Sequence, residues 1–158
     1  MPDEALSFEN VQARLERQYL PVLVFKDGAE MNEKLRYWQR LLFLDDWIIK
    51  GELTSERLSD DTTGAPLRGK CSMVQELKAA TIYLYVPQSD FDEEIVKFCH
   101  EDILVHELLH CKYNILEAGT SYEARHLDLR EHVLLEEMAR SLIMARYNIG
   151  FEWFSNVG

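Results

Sequence analysis

Cysteine is scarce in this chain. Three in 158 residues, Cys71, Cys99 and Cys111, make no disulfide framework and suit a reducing compartment. Proline (4) and glycine (7) are too few for a collagen-like or low-complexity chain. No apolar run approaches the roughly 20 residues of a membrane span. The opening Met1–Glu4 lacks a basic or apolar leader, so the expectation is a cytoplasmic protein without membrane contact. Positive charge is also in deficit: 17 Lys and Arg face 28 Asp and Glu, a net charge of −11. That balance argues against a phosphate-binding surface, and so against nucleic acid as a partner or anionic lipid as a docking site. Histidine numbers only five, and all five fall between residues 100 and 132.

What is present reads as one globular domain, residues 1–158, with 47% hydrophobic residues to build a core. The chain is organised around Val105-His-Glu-Leu-Leu-His-Cys111. On a helix, residues four apart share a face, so His106 and His110 can reach one metal ion. Glu107 follows the first histidine directly, where a carboxylate serves as general base outside the metal's own ligands. Cys111, at i+5 from His106, points about 140° away from it and reads as a small core residue.

Around this motif the patterning alternates between helix and strand. Helical spacing is seen from Ser7 to Tyr19, from Ala29 to Phe43 (Met31, Leu35, Trp38 and Leu42 on one stripe, Lys34 outside it), from Asp102 to Ile115 and from Arg125 to Tyr147. Pro21–Phe25 is a strand or a link. Strands are expected over Trp47–Leu53, Cys71–Leu77 and Ala80–Val86, with loop chemistry from Thr54 to Lys70, where Asp60-Asp61 reads as a solvated turn. The terminal aromatics Phe151, Trp153 and Phe154 are expected to pack on the body.

A catalytic zinc site needs a third protein ligand. At about 100° per residue, Leu134, Leu135, Met138, Leu142 and Ala145 all lie within roughly 60° of Glu131. Glu131 thus sits on the axis of that apolar stripe, where a metal would compensate its buried charge. Glu136, His126 and Asp128 remain alternatives. His100, His126, His132 and Tyr122 are candidates for a proton donor or an oxyanion partner.

The run Asp102–Tyr113, the preceding Ala80–Val86 and the following Glu131–Arg140 resemble small metallopeptidases of phages and prophages, minimal relatives of the gluzincin group. Leu44–Ile49 resembles the first strand of such proteins, and the likeness covers about residues 40 to 145. The resemblance implies an α+β, zincin-like fold: a small twisted sheet of three to four strands packed on helices. It implies one catalytic Zn2+ on His106, His110 and Glu131, with Glu107 as general base. It further implies Ala80–Val86 as the edge strand that holds a peptide or protein substrate in extended form. The function expected is a zinc-dependent metallopeptidase. The competing expectation is a catalytically silent zincin scaffold, encoded by a phage or mobile element to bind and inhibit another protein. The two differ in whether Glu107 matters.

Overall fold

The computed structural model describes residues 11, 13, 19–88, 99–113 and 122–157, with side chains from 130 to 155 in the last segment. The Ser7–Tyr19 helix lies almost wholly outside these residues.

Helix α1 runs from Gly28 to Leu41. Asp27 caps it by accepting from the Glu30 N–H at 2.8 Å, while the Glu30 carboxylate accepts from the Lys26 N–H at 2.7 Å. Met31, Leu35 and Trp38 form its buried stripe, and Leu42 at its C-cap is buried too. Lys34, expected outside this stripe, is also buried, for a reason given below. The chain then turns through Phe43, which adopts a positive φ of 56°, into strand β1 (Ile48–Thr54). Two residue pairs, β2 (Leu58–Ser59) and β3 (Pro66–Leu67), form a small hairpin inside the stretch that reads as loop. Its turn is held by Asp60, which accepts from the Thr62 and Thr63 N–H groups, while Asp61 pairs with Lys70. Strand β4 covers Gly69–Val74 and ends in a single 3-10 turn, Gln75–Leu77. Strand β5 is Ala79–Tyr85.

The sheet has the order β1-β5-β4, with β1 parallel and β4 antiparallel to β5. The strand expected at the edge is therefore the central one. Its alternation explains the placement: Ala80, Ile82 and Leu84 are buried in the core, and a strand that fills the core is flanked on both sides. The edges belong to β1 and β4. The β1 edge is closed by Asn32 of α1, whose side chain accepts from Gly51 N–H and donates to Gly51 C=O, each at 3.0 Å. A Cβ at Gly51 would sit 2.8 Å from Met31 Cε, so a larger residue there requires the Met31 side chain to move.

Among the described residues three further helices follow: α2 (His100–Lys112), α3 (Tyr122–Tyr147) and α4 (Phe151–Val157). Helices α1 and α2 cover one face of the sheet, and α3 packs on α2. Phe154 packs against the core, whereas Phe151 is exposed. The architecture is mixed α+β. Among the described residues no helix is long and apolar enough to cross a membrane.

The first turn of α2 is anchored by two buried polar residues. Glu101 accepts from Val22 N–H (2.8 Å), Trp38 Nε1 (2.8 Å) and Tyr147 OH (2.6 Å), and pairs with Lys34 Nζ at 3.4 Å. Lys34 also donates to Tyr147 OH at 2.8 Å, which accounts for its burial. Burial holds its ammonium below the usual lysine range, with Glu101 pulling the other way. His100 is just as enclosed. Its Nδ1 accepts from Phe25 N–H at 2.9 Å, so its Nε2 carries the proton that meets Tyr85 C=O at 2.8 Å. His100 is thus a fixture of the core, not a proton donor at a site.

Candidate metal centre

Helix α2 carries His106 and His110 on one face, as i,i+4 spacing requires. Their Nε2 atoms approach to 3.1 Å. His132 of α3 joins them: its ring centroid lies 4.6 Å from that of His106 and 5.4 Å from that of His110. One ligand atom from each of the three lies within 4.8 Å of the others. Two nitrogens bound to one tetrahedral zinc at about 2.0–2.1 Å stand roughly 3.3–3.4 Å apart, so the His106–His110 approach is near what a shared ion needs. Three neutral imidazoles are a donor set suited to zinc or a similar transition metal. The residues present fit a metal ion.

Glu131, expected as third ligand, is not among the converging side chains. The cause is the rotation of α3. Its buried residues are Leu135, Ala139, Ile143 and Tyr147, a run at i+4, while Leu134 is 52% exposed. At about 100° per residue, the axis of that run passes through position 132 and leaves 131 on its flank. The expected stripe counted Leu134 and Ala145 and missed Ala139 and Ile143, which turned the wheel by one residue. The signal was present in the sequence as the i+4 run. Of the alternatives, Glu136 is exposed and accepts from Arg140 Nη2 at 2.7 Å. The side chains of Tyr122, His126 and Asp128 lie outside the described residues.

Glu107 follows His106 on α2 and reaches toward β4. It accepts from the Cys71 main-chain N–H, and its Oε1 approaches Gly69 so closely that a Cβ there would lie 3.2 Å away. Glu107 is 7% exposed, and burial pushes its carboxyl up to about 8, opposed by the Cys71 N–H. A cation on the histidines opposes that push further. Burial, then the neighbouring His110 and His132, hold His106 down to about 3, so the imidazole is neutral and able to donate its lone pair to a metal. Cys111 is a buried core residue, as expected, with its Sγ 3.6 Å from Cys71 Sγ. That hydrogen bond, with burial, raises the Cys71 thiol well above the usual range.

A cleft of about 310 Å³ opens over this group. Its walls include Gly69 of β4, His106 and Glu107 of α2, and His132 of α3, and it continues to Asp102, Glu136 and Arg140. The imidazoles of His106 and His132 and the Glu107 carboxyl thus share one open space beside a sheet edge.

No family model matches the chain, and neither do any curated proteins or solved structures.

Proposed function

We propose that the protein is a zinc-dependent peptidase of zincin-like architecture, with His106, His110 and His132 as metal ligands and Glu107 as general base. The observation that carries this reading is the convergence of three imidazoles, two of which, His106 and His132, line a cleft with the buried Glu107 carboxyl against a strand edge. A zinc ion held there supplies Lewis acidity, lowering the pKa of water and polarising a carbonyl. Glu107 takes the proton from the attacking water and returns it to the leaving amine. Its raised carboxyl pKa suits that exchange, because a base near the working pH both accepts and releases a proton. The edge available to an extended peptide is β4, next to Glu107, and β5 is enclosed between its neighbours.

The test is zinc content and peptide hydrolysis measured side by side, with casein and a mixed peptide library as substrates. Wild type is expected to hold about one zinc per chain. His106→Ala, His110→Ala and His132→Ala lose most of it, Glu131→Ala keeps it, and Glu107→Gln keeps it while losing at least 100-fold in turnover. Full zinc in His132→Ala would remove the third ligand from this scheme, and undiminished hydrolysis in Glu107→Gln would remove the mechanism.

A further inference from the structure

The cleft does not stop at the histidines. Helices α2 and α3 run side by side, so that Asp102, one turn before His106, meets Arg140, two turns after His132. Glu136 and Phe154 complete this far end.

Arg140 is held from two sides. Its Nη2 donates to Glu136 Oε1 at 2.7 Å, and its guanidinium carbon lies 5.9 Å from the centre of the Phe154 ring. Its Nε is 4.0 Å from Asp102 Oδ2, too far for a hydrogen bond. That Nε and Asp102 Oδ1 are both buried, and neither has a hydrogen-bond partner among the described residues. A buried donor and a buried acceptor left unmade are costly, and proteins tolerate few of them. Here one of each stands at the end of a cleft that begins at the metal ligands.

We infer that this end of the cleft is a specificity pocket for a carboxamide side chain, glutamine or asparagine, of a peptide substrate, with Asp102 and Arg140 as the residues that select it. The inference rests on the peptidase reading of the same cleft. A carboxamide carries N–H donors and a C=O acceptor on one planar group. Its nitrogen donates to Asp102, and its oxygen accepts from Arg140 Nε. A small swing of the half-exposed Arg140 side chain admits it. The competing side chains each leave something wrong. A carboxylate meets Asp102 and Glu136 and has no donor for Asp102, an ammonium has no acceptor for Arg140 Nε, and an apolar group closes the pocket over an unmade donor and acceptor. Sites built for a polar group reject its apolar counterpart strongly for that last reason.

The experiment uses the zinc-loaded full chain and a series of peptide hydroxamates that share one backbone. The side chain next to the chelating group is glutamine, glutamate or leucine, and dissociation constants are read by calorimetry. The glutamine compound is expected to bind at least tenfold tighter than the other two. In Arg140→Met, which keeps the aliphatic stem, its advantage over leucine falls below threefold. In Asp102→Asn, a second and gentler change, the glutamate compound gains on the glutamine one. Leucine equal to or tighter than glutamine on the wild-type protein overturns the carboxamide assignment while leaving the metal centre standing. If no hydroxamate binds the zinc-loaded protein, the open metal site itself is overturned, and the pocket assignment with it.

Discussion

At the scale of single residues, the motif helix sets demanding conditions on its neighbours. Gly69 is one of them. A Cβ at this position would lie 2.5 Å from Ile103 Cγ2, 3.1 Å from Leu84 Cδ2 and 3.2 Å from Glu107 Oε1. Gly69→Ala is therefore expected to cost about 1–3 kcal/mol by overpacking. It also displaces Glu107, so on the proposed mechanism kcat falls while zinc content stays constant. Adding Ile103→Ala to that variant removes the worst clash, and urea unfolding should recover part of the loss; no recovery would place the strain elsewhere. His100 makes a different demand. Burial lowers its pKa in the folded chain below the unfolded value of about 6.5, and its Nδ1 faces a main-chain N–H that only donates. The unfolded chain therefore takes up a proton first as the solution is acidified. The stabilisation from neutral His100 is complete above about pH 6.5 and is lost as pH falls below it, by at most about 1.4 kcal/mol per unit. His100→Gln cannot titrate, so its unfolding free energy between pH 7.5 and 5 should change less steeply than that of wild type. Equal slopes would mean that His100 is not the titrating group.

At the scale of elements, the rotation of α3 decides which side chain joins His106 and His110. Ile143 is fully buried and Val133 is 57% exposed, although both are β-branched aliphatics on the same helix. Ile143→Ala is expected to cost about 2–5 kcal/mol, and Val133→Ala less than about 0.5 kcal/mol, in chemical denaturation. The reverse ranking would mean a different rotation of α3, and with it a different third ligand. The same helix shows what the sequence made legible and what it did not. Apolar periodicity located α1, the motif helix and α3, because an amphipathic stripe repeats many times in each. It located the strand over Ala79–Tyr85 equally well. It did not reveal that this strand is central, since strand order depends on contacts distant in sequence. Nor did it resolve a choice between adjacent residues 131 and 132, which differ by about 100° on a helix whose leucines occupy more than one face. Lys34 escaped for a related reason. A lysine reads as surface until its acid, 67 positions along the chain, is in view.

At the scale of the whole molecule, the three converging histidines join two helices that the chain separates by a segment outside the described residues. An ion bound to His106 and His110 of α2 and to His132 of α3 ties those helices together only in the folded state. It therefore stabilises by mass action, about 2.7 kcal/mol at a hundredfold excess over the dissociation constant. For a chain of this length that is about 5–10 °C in the unfolding midpoint. Thermal unfolding with zinc and with a chelator should differ by that amount in wild type and by little in His132→Ala. A shift of the same size in both would show that His132 takes no part.

Glu101 leaves a trace of another kind. Its carboxylate gathers partners from Val22 in the segment before α1, from Lys34 and Trp38 of α1 and from Tyr147 at the end of α3. A buried acid that loses its lysine, or a buried lysine that loses its acid, is worse off than a pair replaced together. Descendants of this chain should therefore inherit positions 34 and 101 as a unit, drifting jointly or not at all. Across lineages that pairing should outlast most of the surface, and it offers a means of recognising distant kin in which the histidine motif alone is ambiguous.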